Sequence, residues 1–242
     1  LRVMKSFMYN PWHGCHKKSE GCQNCYMFSF DKQRGIDSNI FRINNDFDLL
    51  IKKKRAGSYK LESGSHVMVC LTSDFFLEEA DLYRDKVWQM ILQRQDVKFE
   101  VITKRIERVK LPENFKEDYK NFYLNVTVEN QKRADERIPI LLGLDLDYRG
   151  LIVSPMLEAI HIEKYLQTGK ISHVAVGGEN YKNARELNFD WVKDLAMQCK
   201  RYGVDFEFYD TGSNFVKDGK RYHIPHRLGK IQAQKAQKKF LL

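Results

Sequence analysis

At 242 residues, with 43% hydrophobic and 30% charged side chains, the chain has the composition of a folded globular protein and enough length to bury one sizeable core. Its 41 basic and 32 acidic residues leave a formal charge of +9, which favours an anionic partner such as nucleic acid, nucleotide or another phosphorylated molecule. No apolar run approaches the roughly 20 residues that span a bilayer. The segment LRVMKSFMYNPWHGC lacks the apolar stretch of a secretory signal, so a cytoplasmic protein without membrane contact is expected.

Along the chain, short β-branched or apolar runs alternate with helical stretches, the pattern of parallel βα units. Strands are expected near Phe7–Asn10, His66–Leu71, Phe99–Thr103, Tyr123–Val128, Gly150–Ser154, His173–Val176 and Asp205–Tyr209. Several are almost wholly apolar (VMVCL, GLIVS, HVAVGG), as strands become when both faces of a sheet are covered. Between them, Tyr83, Val87, Met90 and Ile91 fall on one face of a helix, as do Val192, Leu195, Ala196 and Cys199. Asn188 and Asp190 mark the start of the latter helix and Gly203 its end. No repeat or Pro/Gly/Ser-rich linker divides the chain. The expectation is an α/β protein, a partial or near-complete (βα)6–7 TIM-like barrel over residues 1–226. A basic tail over 227–242 would follow, as a terminal helix or an arm. Ile51–Ser65 reads as a basic surface connection with solvated charges.

Three of the five cysteines crowd into eleven positions, Cys15, Cys22 and Cys25, spaced C-x6-C-x2-C directly after the first expected strand. In a reducing compartment such crowding points to metal rather than to disulfides. Thiolates are preferred by both iron–sulfur clusters and zinc. Three protein ligands leave one position open, as reactive sites do, whereas His13 or His16 could close a structural zinc site. The spacing favours a cluster without deciding. Cys70, expected in mid-strand, and Cys199, on a helix face, read as small buried hydrophobes. Polar residues recur at the expected strand ends: Thr72, Ser73 and Asp74; Thr103, Lys104 and Arg105; Glu129 and Asn130; Ser154; Gly177, Gly178 and Glu179; Asp210. In βα barrels reactive groups gather there, although helix capping explains Ser73 or Asp74 singly about as well.

The loop N-P-x-x-G-C-x(3)-S-x-G-C-x-x-C-Y resembles that of radical S-adenosylmethionine (SAM) proteins in a family of unknown function first described from bacteriophages. The resemblance continues through TSDFF (72–76), VITKRIERV (101–109), VTVENQKRADERIPILL (126–142), VGGEN (176–180) and DWVKDLAMQCKRYGVDFEF (190–208). More distantly the chain is similar to spore photoproduct lyase, a DNA-repair member of the superfamily. Two features depart from the common pattern. The first cysteine gap is longer than the usual C-x3-C-x2-C, and Phe208-Tyr209-Asp210-Thr211 stands where a Phe-Lys-Gln-Trp-like run is usual.

The resemblance implies a [4Fe–4S] cluster on Cys15, Cys22 and Cys25, with SAM on the fourth iron and an external one-electron reductant of flavodoxin or ferredoxin type. It implies Ser73 and Asp74 near the methionyl amino group, Lys104 near its carboxylate and Glu129 and Asn130 at the ribose. Ser154 and Met156 would line the adenine, and Tyr26 would pack beside cluster or adenine. Gly177, Gly178 and Glu179 would line the inner cavity and face substrate. The contrasting reading is a zinc-stabilised, non-catalytic nucleic-acid-binding protein.

Overall fold

A computed structural model of the protein describes residues 5–241. The elements in chain order are β1 (Ser6–Tyr9), β2 (Trp12–His13), α1 (Tyr26–Gln33), β3 (Arg42–Ile43), β4 (His66–Val69), α2 (Asp81–Leu92), β5 (Lys98–Thr103), α3 (Phe115–Asp118), β6 (Phe122–Thr127) and α4 (Gln131–Gly143). They continue with β7 (Arg149–Val153), α5 (Glu163–Leu166), β8 (His173–Gly177), β9 (Glu186–Asn188), α6 (Phe189–Arg201), β10 (Asp205–Asp210), β11 (Asn214–Lys217), β12 (Lys220–His223) and α7 (His226–Leu241).

Seven strands form one sheet in the order β1-β4-β5-β6-β7-β8-β10, and each coincides with an expected strand. The pairs β1–β4, β4–β5, β7–β8 and β8–β10 are parallel. Every residue of β7 is buried, and so are four of the five in β8, as the apolar runs required. The protein is therefore an α/β fold on a seven-stranded sheet. No helix among the described residues is long and apolar enough to cross a membrane.

Contacts divide the chain into two units. The first comprises Leu1–His16, Asp31–Asn125 and Asp145–Tyr148. The second comprises Lys17–Phe30, Val126–Leu144 and Arg149–Leu242.

The core of the first unit is aromatic. Phe75 stacks on Trp12 with ring centroids 5.6 Å apart and meets Trp88 edge-on at 5.1 Å. Trp88 also packs on Phe115, Tyr119 and Phe122. Each such ring contributes about 2–3 kcal/mol by burial. In α2, Val87, Met90 and Ile91 face inward as their spacing predicts, joined by Trp88. Cys70 is buried, but it does not lie in mid-strand: β4 ends at Val69, and Cys70 turns into the left-handed region with φ 62°. The turn redirects the chain toward the polar segment 72–74, which an uninterrupted strand would not do.

In the second unit α6 buries Val192, Leu195, Ala196 and Cys199. The Asn188 side chain caps it by accepting from the Asp190 amide at 2.9 Å. Gly203, at φ 66°, ends it. Beyond residue 226 the tail is helix α7. It buries Gly229, Ala233 and Ala236, residues small enough to let the helix lie close to β10. Gln237 then bonds the edge strand, accepting from the Phe208 amide at 2.6 Å and donating to the Phe206 carbonyl at 3.2 Å. The last strand is thereby covered.

The connection 51–65 is held by a wholly buried arginine. Arg94 donates to the Leu50 and Leu61 carbonyls at 2.5 and 2.8 Å and forks onto Asp96 at 2.9 and 3.0 Å. Its guanidinium also lies 4.2 Å from the Tyr59 ring centroid. A buried guanidinium is tolerable only when its donors are used. Arg94→Ala should therefore lower stability by about 3 kcal/mol in urea unfolding. Arg94→Lys should recover less than half of that, because one ammonium cannot serve both carbonyls and the carboxylate.

Candidate functional site

In the first unit Cys15 follows a tight approach of two backbones. Gly14 adopts φ 98°, where a Cβ would strike the Ile40 carbonyl and come within 3.2 Å of Phe41 Cα. The Cys15 amide donates to the Ser38 carbonyl at 2.8 Å. Ser38 in turn donates to buried Asp31 at 2.8 Å, and His13 Nε2 lies 2.7 Å from the same carboxylate oxygen. His16 is paired with Glu79.

Beyond the cysteine stands Arg105, from the end of β5. One of its nitrogens lies 3.8 Å from Cys15 Sγ and 3.2 Å from Asp74, while the other donates to the His16 carbonyl at 2.7 Å. Burial alone would lower the pKa of this guanidinium. The charges of Asp74 and Cys15 outweigh that and hold it above its ordinary value. A permanent positive charge thus faces the sulfur.

Asp74 also accepts from Thr103 Oγ1 at 2.7 Å, the Phe76 amide at 3.0 Å and the Lys104 amide at 3.1 Å. With Arg105, these bonds occupy the acceptor sites of both its oxygens. Ser73 donates to the Gly14 carbonyl, so both strand-end residues expected near the cofactor serve the architecture around Cys15.

In the second unit the segment carrying Cys22 and Cys25 is held from the ends of β6 and β8. Glu129, wholly buried, accepts from Ser19 Oγ and from the Gly21 amide at 3.2 Å, just ahead of Cys22. Arg137 balances it at 2.8 Å and also donates to Ser19 at 2.9 Å. Glu179 accepts from Asn24, the residue before Cys25, at 2.9 Å. Arg185 forks onto Glu179 and donates to the Glu20 carbonyl at 2.9 Å. Glu20 is itself clasped by Arg133 at 2.9 and 3.0 Å, which holds its carboxyl down to about 2.

Burial would raise the Glu179 carboxyl, but its bonds from Arg185 and Asn24 and the Arg185 charge bring it below the usual carboxylate range. Asn130 caps α4, accepting from the Arg133 amide at 2.9 Å.

The remaining expected residues lie close by in the same unit. Gly177 faces Ser154 and Tyr209, and a Cβ there would sit 2.6 Å from the Tyr209 ring and 3.0 Å from Ser154 Oγ. The Tyr209 hydroxyl is pushed up to about 12, chiefly by loss of water. The Met156 amide donates to the Gly177 carbonyl at 3.0 Å, and the Gly178 amide donates to the Asp210 carbonyl at 3.0 Å. Tyr26 is 40% exposed, and its ring meets Phe30 edge-on.

No disulfide joins the five cysteines, and Cys22 is buried while Cys15 and Cys25 are half-buried. Among the described residues no group of three or more His, Cys, Asp or Glu side chains is gathered so as to hold a metal ion. The donor set nevertheless suits a cluster in its chemistry, offering three unbridged soft sulfurs on one short segment.

Sequence places Arg105 only among the polar strand ends and gives Arg137 and Arg185 no site role. Arg137 had a legible signal, because it falls on the apolar face of α4 beside Ala134, Ile138 and Leu141, where an unpaired charge would be costly. Asn24 and Arg185 had none, since their meeting depends on the fold.

Gly14→Ala should cost at least about 2 kcal/mol, because it adds both left-handed strain and a backbone clash. Thermal unfolding of the variant checks this. For Glu179, whose carboxyl is depressed in the folded protein, the stabilisation is present above the ordinary value of 4.5 and lost as pH falls through the depressed one. The stability gap between the wild type and Glu179→Gln should therefore be full at neutral pH and shrink in acid, as read by unfolding at stepped pH.

No curated protein matches the sequence. In fold the chain is similar to a solved structure of a point mutant of spore photoproduct lyase, with a TM-score of 0.51 at 11% identity over 95% of this chain and 71% of that one. Residues 4–240 match the family described as Protein of unknown function (DUF5131), and the chain belongs to that family.

Proposed function

We propose that this chain is a radical SAM enzyme in which Cys15, Cys22 and Cys25 supply three thiolates to a [4Fe–4S] cluster on a TIM-like partial barrel. The observation that carries the reading is the grip of Glu129 and Glu179 on the residues just before Cys22 and Cys25. Buried carboxylates are expensive to maintain unless something must be held in place. Here they stand at the C-terminal ends of strands, where barrel chemistry collects. The likeness in fold to spore photoproduct lyase, itself a radical SAM enzyme, supports the reading at the level of architecture.

When bound, such a cluster together with SAM supplies reductive cleavage of a sulfur–carbon bond and a carbon radical that takes hydrogen from a substrate. The protein's own part is placement and exclusion of water. Arg105 sets a positive charge beside Cys15 and fixes the His16 carbonyl. Glu129 and Glu179 position the segment of Cys22 and Cys25, with Arg137 and Arg185 as their counter-charges.

Within this reading Lys104 pairs with the methionyl carboxylate, Ser154 and Met156 line the adenine, and Asn130 reaches the ribose. Asp74, with its acceptor sites in use, orients Arg105 and the Lys104 backbone rather than binding the amino group. The electron comes from a flavodoxin- or ferredoxin-type donor.

Anaerobic reconstitution should give a brown protein with about four irons per chain. Dithionite and SAM should then release 5′-deoxyadenosine. Cys22→Ala should abolish both, whereas Glu129→Gln and Glu179→Gln should keep the fold, by circular dichroism, and lose at least half the iron. One zinc per chain and no iron uptake would sink the proposal.

A further inference from the structure

The segment 219–242 carries seven basic residues and no acidic one, and the structure arranges that charge in a particular way. β12 is exposed at every residue, presenting Lys220, Tyr222, 45% exposed, and Arg221, which is paired with Glu186 of β9 at 2.8 Å. In α7 the buried face is made of Gly229, Ala233 and Ala236, while Arg227, Lys230, Lys235, Lys238 and Lys239 all face solvent. The apolar side of this helix is used against β10, and Ile231 is the large hydrophobic residue left exposed on it among the described side chains. An amphipathic membrane helix needs a continuous apolar face to insert, so an anionic lipid surface is a poor match.

An aromatic row starts where this helix starts. His226, the first residue of α7, stacks on Tyr181 with ring centroids 4.9 Å apart and planes 21° from parallel. Tyr181 is 37% exposed and held in the left-handed region at φ 73°, which aims a bulky side chain where the chain would not otherwise place one. Phe30 meets Tyr181 at 5.1 Å, and Tyr26 meets Phe30 at 6.1 Å. Tyr26 directly follows Cys25 in the chain. Cations alone would suit any polyanion. Cations leading into a row of half-exposed rings suit a polymer with phosphates and flat bases together.

We infer that β12, α7 and the Tyr181–His226 stack form a binding surface for single-stranded nucleic acid, with phosphates on the basic helix and bases on the aromatic row that ends beside Cys25. Binding by this surface does not depend on a cluster. It deepens the radical SAM reading, on which it rests, by naming the class of molecule whose atoms would be brought to Cys25.

The test is fluorescence anisotropy with labelled 20-mers of single-stranded DNA and RNA, the matching duplex, and an abasic strand of equal length, on protein with and without reconstituted iron. Binding should be weaker by about 50-fold at 200 mM than at 50 mM salt, as expected for about four neutralised phosphates. The charge reversal Lys230→Glu with Lys235→Glu and Lys238→Glu lies away from the buried face of α7 and should lose at least tenfold. Tyr181→Gly, which relieves the left-handed strain, should weaken the base-bearing strand roughly tenfold and leave the abasic strand unchanged. Comparison of the DNA and RNA arms identifies which polymer is preferred.

Equal affinity for abasic and base-bearing strands, tighter binding of the duplex, or equal binding to phosphatidylglycerol vesicles would overturn the inference. Because iron-free protein carries the same surface, loss of binding and loss of cluster chemistry are separate results.

Discussion

A carboxylate sealed from water must find donors and a counter-charge or lose its ionisation, and Glu129 and Glu179 meet that demand with the cysteine segment itself. Each stands just beyond a strand of the sheet and has one arginine. Each also accepts from residues beside Cys22 or Cys25. The segment 17–25 has little regular structure, a single three-residue turn of helix at Glu20–Cys22. Its position is therefore set by these charges and by Arg133 and Arg185 on Glu20 and its neighbours. Arginine is the residue for this task, because its planar fork can serve a carboxylate and a carbonyl at once.

The same logic operates separately around Cys15. Asp74 organises Arg105, Thr103 and two backbone amides, and Trp12 anchors the approach to the cysteine by donating to the Asp74 carbonyl at 3.3 Å while stacking on Phe75. Gly14 is where the chain passes so close to Ile40 that no side chain fits. In both units strand-end acids hold the arginines and backbone around the cysteines. Precision of placement is what such internal commitment provides.

Helix α7 separates its two jobs by face. Small residues and Gln237 close the sheet edge, and the opposite side is left to charge. The Tyr181–His226 stack joins the start of that helix to the loop after Glu179, which also supplies Arg185.

Local pattern was sufficient for the seven-stranded sheet of this protein, though not for the short strands β2, β3, β9, β11 and β12 outside it. Apolar runs bounded by polar strand ends located all seven strands of the sheet, and the spacing of Val87 to Ile91 and of Val192 to Cys199 identified the buried helix faces. Those signals are local because a strand or helix face is defined by residues within about ten positions of one another. What the strand-end residues touch could not be read that way. Glu129 meets Gly21 across 108 positions and Asn24 meets Glu179 across 155, contacts that exist only once the sheet has ordered its strands. For the same reason the apolar run around Cys70 predicts strand where the chain turns out of one, since a left-handed residue carries no mark in such a run. Chemistry and periodicity are written locally. The pairing of buried charges is a property of the folded chain, and it assigns Glu129 and Glu179 to gripping the cysteine segment.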